Sequence, residues 1–333
     1  MGRVTIKQIA EQAGVSVSAV SYVLNGKKGV SEETRQRILE IIAQLQYTPN
    51  LNSRRLILRR SFNLLLWLGP TGSTLENLFY TEMLGAIVSR GSELGYHIVL
   101  SNDSEEALLQ DLSQHNADGV LFLKDISRSL QDSLREAEMP YVVIDSHRPD
   151  APYARVISDM EQMARLAVEH LIDAGHRRIA FLGSDAPPDF FVRSETGYRR
   201  TMEAHGLPVE ADWIRSEARD EETAKRCARQ LMACPARPTA LFCAGDLYAL
   251  AAMDALREMG LRVPEDVSLV GVDDIILARY CRPALTTVHV DKRNMAFLGV
   301  DLLHHLIEGE SPELLREVPV NQLIRRETVL EQK

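Results

Sequence analysis

Residues 239–274, TALFCAGDLYALAAMDALREMGLRVPEDVSLVGVDD, decide the fold of most of this chain. Within them, TALFCAG (239–245) and VSLVGVDD (267–274) are short, mostly apolar runs, and the segment 246–259 between them has the spacing of an amphipathic helix. Apolar strands that are buried on both faces and separated by helices are typical of a parallel, doubly wound sheet. The stretch therefore predicts a strand–helix–strand unit of an α/β fold.

The same alternation extends outward along the chain. Strand-like runs recur in two series, which predicts two lobes. They comprise NLLLWLG (63–69), HIVLSN (97–102), GVLFL (119–123) and YVVID (141–145) in the first series, and RIAFLG (178–183) with the two runs above in the second. The remaining predicted helices cover 80–94, 160–174, 195–205 and 221–233. Because ligands of such sheets bind at the carboxyl ends of the strands, we expect a binding site there.

Length and composition limit the class of protein. The chain has 333 residues, enough for two or three domains, and its 45% hydrophobic and 26% charged residues are typical of a globular protein. No run approaches the roughly 18 continuous apolar residues of a membrane helix, and the N-terminus lacks the apolar core of a signal peptide. Four cysteines without CxxC spacing indicate neither a disulfide framework nor a zinc site. We therefore expect a cytoplasmic protein with no membrane association and no metal.

Charge is distributed unevenly along the chain. Residues 1–60 contain ten Lys/Arg and four acidic residues, a net charge of +6, whereas the remaining 273 residues contain 28 basic and 43 acidic residues, a net charge of −15. A small basic segment joined to a large acidic body indicates that the basic segment binds a polyanion. The alternative is a solvated basic surface without a partner.

The basic segment begins with three helical patterns. Thr5 is a plausible N-cap for the first helix, with Gln8 completing a capping box, and Gly14 ends that helix. Ser16 can cap a second, short helix and Ser31 a third, longer one. This arrangement predicts a helix-turn-helix, whose second helix enters the major groove of DNA. A plain helical bundle is the alternative, which the spacing and the positive charge disfavour.

A short basic stretch, YTPNLNSRRLILRRS (47–61), follows the third helix. Asn50 can cap a short fourth helix, which would form only against a partner helix or DNA because an isolated helix of about nine residues is marginal in water. Arg54 and its basic neighbours are suited to phosphates, and a projecting Leu56 could wedge between base steps in the minor groove. The alternative is a flexible basic linker.

Residues 5–50 closely resemble the N-terminal domain of the LacI/GalR family of bacterial transcription regulators, and the resemblance continues through nearly the whole chain. EHLIDAGHRRIAFLG (169–183) looks like the middle of that family's effector domain, and 239–274 with ARYCRPALTTVHVD (278–291) looks like its second half. The resemblance implies a homodimeric repressor that binds a palindromic operator in double-stranded DNA with an affinity set by a small molecule.

The resemblance also implies the domain organisation. It divides the chain into a helix-turn-helix DNA-binding domain, a hinge helix with its linker, and a two-lobed, periplasmic-binding-protein-like effector and dimerisation domain, over residues 1–46, 47–61 and 62–333. The family's chain crosses between the lobes more than once. Lobe one is therefore expected at about 62–160 and 291–320, and lobe two at about 161–290 and 321–333.

DNA contacts follow from the resemblance by position. Val17, Ser18 and Tyr22 fall on the base-reading positions of the recognition helix, and Leu56 falls on the minor-groove wedge of the hinge helix. The residues that match the family's usual phosphate contacts are Thr5, Ser16, Ser21, Asn25, Ser31 and Thr34. The family most often has Arg where this chain has Tyr22, and Arg pairs bidentately with guanine whereas Tyr offers one hydroxyl and a ring. We therefore expect a different operator base pair at that position.

Acidic residues stand at the ends of several predicted strands. Asp145, followed by Ser146, ends one strand, Asp246 follows another, and Asp273 ends a third. Carboxylate oxygens accept hydrogen bonds from hydroxyls, so residues in these places predict a polyhydroxylated ligand. For Asp246 the alternative is a cap of the helix that begins there.

The resemblance adds further candidates for effector binding. Phe79 and Tyr80 match the family's aromatic pair on lobe one, and Asp273 holds a ligand-binding position. Arg219 lies where the family's lobe-two loop meets the ligand, and Arg193 sits one place from the usual pocket Arg. Two arginines that point inward would indicate an anionic ligand. The alternative is that Arg219 pairs with neighbouring acids on the surface.

These observations favour a ligand-gated transcriptional regulator with no enzymatic activity and no cofactor. The alternatives are an α/β sugar-processing enzyme or a sugar-binding protein, each fused to a DNA-binding head. The sequence contains no P-loop, nucleophile elbow or HExxH motif, which disfavours the enzyme. The expected effector is a sugar, a sugar acid or phosphate, or a nucleobase, and its role as inducer or corepressor stays open.

Overall fold

A computed structural model describes residues 4–24, 29–45, 60–70, 73–184, 188–320 and 322–332. The chain divides into two compact units, Met1–Phe62 and Asn63–Lys333. The hinge helix that the sequence predicts within 47–61 lies outside the described residues, apart from the last two residues of that range.

The first unit contains three helices, α1 (Ile6–Ala13), α2 (Val17–Leu24) and α3 (Glu32–Gln44). Thr5 and Gln8 form the predicted capping box of α1, and Gly14 follows that helix in the left-handed region with a φ of 65°. Apolar side chains from all three helices form one small core, which comprises Ile9, Ala10, Ala13, Val20, Val23, Ile38 and Ile41. The local signals of the sequence are therefore confirmed in this unit.

The second unit alternates strands and helices. Its strands are β1 (Asn63–Trp67), β2 (His97–Ser101), β3 (Gly119–Phe122), β4 (Tyr141–Ile144), β5 (Ala154–Ser158), β6 (Ile179–Leu182), β7 (Ile214–Arg215), β8 (Ala240–Cys243), β9 (Ser268–Asp273), β10 (Thr286–His289), β11 (Leu315–Val318) and β12 (Gln322–Ile324). Its helices are α4 (Ser73–Glu76), α5 (Leu78–Glu93), α6 (Glu105–Ser113), α7 (Arg128–Glu136), α8 (Met160–Asp173), α9 (Pro188–Ala204), α10 (Glu221–Met232), α11 (Asp246–Glu258), α12 (Ile276–Tyr280) and α13 (Lys292–Ile307).

The strands form two sheets, which define two lobes. The sheet of lobe one has the order β11-β5-β4-β3-β1-β2 and is parallel throughout. The sheet of lobe two has the order β12-β10-β9-β8-β6-β7 and is parallel except for the antiparallel pair of β10 and β12. The chain passes between the lobes after β5, after β10 and after β11. The prediction of two lobes built on parallel sheets is confirmed.

Helices cover the sheets, as the apolar strands require. Every residue of β3 and of β8 is buried, because helices pack on both faces of a doubly wound sheet. α13 packs on β3, β4 and β5 and therefore belongs to lobe one, although it follows a strand of lobe two. No helix within the described parts of the chain has both the length and the apolar character needed to cross a membrane.

Candidate functional site

The second helix of the first unit has one buried and one exposed face. Val20 and Val23 are buried in the small core, whereas Val17 and Tyr22 are each 44% exposed and Ser18 is exposed beside them. The three residues with predicted base-reading positions therefore share the accessible face of α2. An exposed apolar side chain beside polar ones suits a major groove, which offers thymine methyl groups as well as donors and acceptors.

Tyr22 is anchored at one side of its ring. A Cβ atom added to Gly29 would lie 3.3 Å from that ring, so the ring packs directly over the Gly29 backbone. Gly29 therefore packs against one side of Tyr22 while almost half of the residue remains accessible. The contact of Tyr22 with a base remains a prediction.

Several predicted phosphate contacts lie at the starts of helices. The hydroxyl oxygens of Thr5, Ser16 and Ser31 accept the backbone N–H three residues onward, at 3.4, 3.2 and 3.3 Å, and Ser31 donates to the Thr34 hydroxyl at 2.8 Å. Helix N-termini present free N–H groups and a positive dipole end, and both attract phosphate. Ser21 is half-buried on α2. Four further predicted contacts lie outside the described residues, namely Asn25, Asn50, Arg54 and Leu56.

The candidate effector site begins on lobe one with two aromatic rings and an aspartate. The rings of Phe79 and Tyr80, at the start of α5, meet edge to face with centroids 5.3 Å apart. The Tyr80 hydroxyl donates to Asp145 Oδ2 at 2.8 Å, and Asp145 Oδ1 lies 3.0 Å from His147 Nε2. Asp145 has a φ of 67°, which is strained for a residue other than glycine. Such strain is concentrated at functional sites.

Ser146 lies next to Asp145 in this turn and is fully buried. Its hydroxyl donates to Asp125 Oδ1 and lies 2.9 Å from the Tyr153 hydroxyl, which itself donates to Asp125 Oδ1 at 3.0 Å. The structure thus gives Ser146 an anchoring role within lobe one, and its predicted contact with an effector remains a prediction.

Lobe two contributes Asp273 at the carboxyl end of β9. This residue has a φ of 111°, and the following Asp274 has a φ of 53°, so two consecutive residues adopt left-handed conformations. A Cβ atom added to Gly245, just before α11, would lie 3.8 Å from Asp273 Oδ2, so the carboxyl group lies beside the start of that helix. Burial raises the pKa of Asp273 well above its ordinary value, and the nearby charge of Asp246 raises it further.

Asp246 stabilises the turn that follows β9. Its fully buried carboxylate accepts the Ile275 N–H at 2.9 Å and the Thr287 hydroxyl at 2.5 Å. A Cβ atom at Gly271 would overlap this carboxylate, so the close approach requires glycine there. The alternative of a helix cap is not observed, because Gly245 is the N-cap of α11 and makes no side-chain capping bond. Effector binding by Asp246 remains a prediction.

The two lobes contribute to one site. Burial raises the pKa of Tyr80, and the charges of Asp145 in lobe one and Asp273 in lobe two both raise it further. Charges affect one another in this way only over short distances. Sequence reasoning missed His147, which binds Asp145, and Tyr248, whose ring packs beside Gly245 close to the Asp273 carboxyl group.

The two predicted arginines have different surroundings. Arg193 Nη2 lies 3.8 Å from Glu317 Oε1, beside a cavity of about 410 Å³ that Arg165 and Arg200 also line. Arg219 is exposed, and its backbone N–H donates to the Thr223 hydroxyl at 2.8 Å. The contact of either arginine with an effector remains a prediction.

In the described parts of the chain, no group of three or more His, Cys, Asp or Glu residues could hold a metal ion. The four cysteines are free thiols. Burial raises the pKa of Cys243, in β8, far above its ordinary value, which keeps this thiol protonated and unreactive.

A helix-turn-helix unit and a two-lobed α/β unit with a polar site between its lobes together define a ligand-responsive, DNA-binding regulator. Comparison with known proteins agrees with this class. Residues 5–50 match the model of the bacterial regulatory proteins of the lacI family, and residues 168–329 match the periplasmic binding protein-like domain. The chain belongs to the lacI family, and it is a ligand-responsive transcriptional regulator.

Relatives match over almost the whole chain. The HTH-type transcriptional repressor PurR of Vibrio cholerae serotype O1 (strain M66-2) is 33% identical over 333 residues, with 98% of each chain covered. PurR of Escherichia coli O139:H28 is 32% identical over 335 residues, with 98% of this chain and 96% of the relative covered. These names describe transcriptional repressors.

Solved structures match equally widely. The transcriptional regulator CelR in complex with cellobiose superposes with a TM-score of 0.74 at 31% identity, covering 98% of this chain and 100% of CelR. The lac repressor dimer bound to operator and the anti-inducer ONPF has a TM-score of 0.76 at 28% identity, covering 99% of this chain and 100% of the repressor chain.

Proposed function

We propose that the effector of this regulator is a neutral sugar or sugar derivative that binds between Asp145 and Asp273. The observation that carries this proposal is the position of Tyr80, whose hydroxyl donates to Asp145 and whose pKa the charges of both aspartates raise. Carboxylates and a phenol hydroxyl match a ligand rich in hydroxyl groups. The apolar faces of Phe79 and Tyr80 match the apolar face of a sugar ring.

The charges around the site favour a neutral effector over a sugar acid or phosphate. Asp145, Asp273 and Asp246 present carboxyl groups, which pair with hydroxyl groups, whereas an anionic oxygen has no proton to donate to a carboxylate. Arg193 lies 3.8 Å from Glu317, and Arg219 is exposed at the N-terminal side of α10. The cellobiose complex of CelR, a structural neighbour, agrees with a sugar.

DNA recognition is proposed for the exposed face of α2 and the N-terminal ends of the three helices. Val17, Ser18 and Tyr22 would read base edges, while Thr5 and Ser16, together with Ser21, Asn25, Ser31 and Thr34, would contact phosphates. Asn50, Arg54 and Leu56 complete the interface by sequence alone. The lac repressor binds its operator as a dimer. We infer the same assembly for this chain, acting in the cytoplasm and without enzymatic turnover.

A thermal-shift screen tests the effector class, because a ligand that binds only the folded protein raises the melting midpoint. The panel contains neutral mono- and disaccharides including cellobiose, sugar acids, sugar phosphates and nucleobases. We expect a neutral sugar to raise the midpoint of the wild type and of the surface control Asp212→Asn, and to have little effect on Asp145→Asn. A response to sugar phosphates or nucleobases alone would contradict the proposal.

A further inference from the structure

Lys292 occupies an unfavourable place for a cation. It is the first residue of α13 and only 6% exposed. A positive charge in the first turn opposes the helix dipole, and lysine is seldom buried unless it is paired. Both effects destabilise the folded chain unless other groups compensate them, so the partners of Lys292 are informative.

The partners of Lys292 are backbone carbonyls of lobe two. Its ammonium donates to the carbonyl oxygen of Asp273, and to that of Asp274 at 3.3 Å. These are the two residues with left-handed φ values of 111° and 53°. Because this backbone conformation turns two successive carbonyls toward one cation, Lys292 holds the turn that orients the Asp273 side chain.

Glu82, on α5 of lobe one, completes this arrangement. Its Oε2 lies 3.2 Å from the Lys292 ammonium, which also lies 5.8 Å from the centre of the Phe79 ring. Its Oε1 accepts the backbone N–H of Ile276 at 2.9 Å. Ile276 begins α12 in lobe two, where a free N–H requires an acceptor. One carboxylate therefore binds a cation of its own lobe and an amide of the other lobe.

We propose that Glu82 and Lys292 are positioning residues that form a clamp between the two lobes and hold them closed around the effector site. Both side chains belong to lobe one, and both bind the same short backbone segment, Asp273–Ile276, of lobe two. Separation of the lobes would break these bonds and expose the buried Lys292 ammonium. The clamp thus biases the equilibrium between open and closed lobes before any effector binds.

The contacts of the clamp involve no effector, so they can be tested separately from the proposed function. If an effector binds the closed arrangement of the lobes, the clamp increases its apparent affinity, because affinity rises with the fraction of protein that is already in the binding-competent state.

Hydrogen exchange on the full-length chain without added ligand tests the clamp. The variants are Glu82→Gln, which retains a carbonyl oxygen for the Ile276 N–H, Glu82→Ala, which retains neither function, and Lys292→Met. The control is Glu93→Gln, which removes a 2.8 Å ion pair with Arg90 from the same helix without touching lobe two. Peptides covering Asp145–His147 and Gly245–Tyr248 report opening on the two sides of the site.

We expect Glu82→Ala to speed exchange at both reporter segments by about tenfold, which is about 1.4 kcal/mol of lost closure, with a smaller effect for Glu82→Gln and none for Glu93→Gln. Small-angle scattering should show a larger radius of gyration for Glu82→Ala. Faster exchange at Ile276 alone, with an unchanged radius, would show that the contact is only local and would overturn the proposal. If Lys292→Met fails to fold, the Glu82 variants decide, because that side chain is 32% exposed and tolerates replacement.

Discussion

Replacement of Asp273 by Asn separates effector binding from stability. The Asp273 carboxyl group is buried, and both burial and the Asp246 charge raise its pKa, so its charged form is disfavoured in the folded chain. Asn has nearly the same shape and carries no charge. Because a buried charge destabilises the fold unless it is fully compensated, we expect the melting midpoint of Asp273→Asn to equal or exceed that of the wild type.

Effector affinity should respond in the opposite direction. Asn replaces one carboxyl oxygen, which can accept a hydrogen bond, by an NH2 group, which can only donate. A buried hydroxyl of the effector left without its acceptor costs about 1–3 kcal/mol, so effector binding should weaken by about 5- to 150-fold. The assay is isothermal titration with the sugar identified by the thermal-shift screen. Operator affinity without effector should stay at the wild-type level, because Asp273 belongs to the second unit and the helix-turn-helix to the first.

Two results would refute this reasoning. Unchanged effector affinity in Asp273→Asn would move the binding site elsewhere. A joint loss of melting midpoint and operator affinity would show that Asp273 only supports the fold of its turn. The structure argues against that role, since other side chains support the turn: Asp246 accepts the Ile275 N–H, Glu82 accepts the Ile276 N–H, and Asp274 binds Arg326 at 2.5 Å.

Three further variants test other parts of the account. Ser31→Ala removes the N-cap of α3 and should destabilise the helix-turn-helix by about 1 kcal/mol, measured as about fivefold faster amide exchange in α1–α3. Leu56→Ala, a prediction from sequence alone, should weaken operator binding by about 1–3 kcal/mol in a fluorescence titration while leaving binding to random DNA unchanged. Asp246→Asn tests a pH effect, because burial raises the folded-state pKa of this carboxyl group to about 7. The stability that the protonated group contributes is therefore lost as pH rises from about 4 to about 7. Across that range the melting midpoint of the variant should rise relative to that of the wild type.

Each of these expectations has a contrary outcome. Unchanged exchange in Ser31→Ala would show that α3 does not depend on its cap. Equal losses on operator and random DNA would reduce Leu56 to a structural residue. A constant difference in midpoint between Asp246→Asn and the wild type from pH 4 to pH 7 would show that this carboxyl group does not titrate there.

Features that depend on neighbouring residues were predictable from the sequence. The cap at Thr5 with Gln8, the left-handed Gly14 and the cap at Ser31 all involve residues within a few positions of each other, so the chain encodes them locally. The apolar runs that became β3 and β8 were also predictable, because strands buried on both faces must be apolar throughout.

Features that depend on distant contacts were not predictable. The bond from Ile276 to Glu82 joins residues 194 positions apart, and neither residue type signals it. The edge strand β12 has three residues and pairs antiparallel with β10, which is too short for a recognisable pattern. Both acids proposed for the effector site, Asp145 and Asp273, were predicted from their places at strand ends. That both of their charges raise the pKa of Tyr80, after burial, follows only from the folded structure.

The start of α9 explains the position of Arg193. The sequence predicts this helix over 195–205, whereas it begins at Pro188, a residue whose fixed φ suits the first helical position. Arg193 therefore lies on a helix and not on a loop that could turn inward. Helical geometry directs its side chain toward Glu317, at 3.8 Å. Neighbouring residues of a helix point in directions that differ by about a quarter of a turn, so the Arg193 side chain points away from the direction of the usual pocket position, which Ser194 occupies.

The central claim is that a small molecule bound between the lobes changes the affinity of this chain for its operator. Fluorescence anisotropy with an operator selected from a random DNA library measures this affinity, with and without a saturating amount of the sugar identified by the screen. The account predicts that the sugar shifts the apparent Kd of the wild type by about 5- to 150-fold and leaves that of Asp273→Asn close to its effector-free value. An apparent Kd that is the same with and without a sugar known to bind would contradict it.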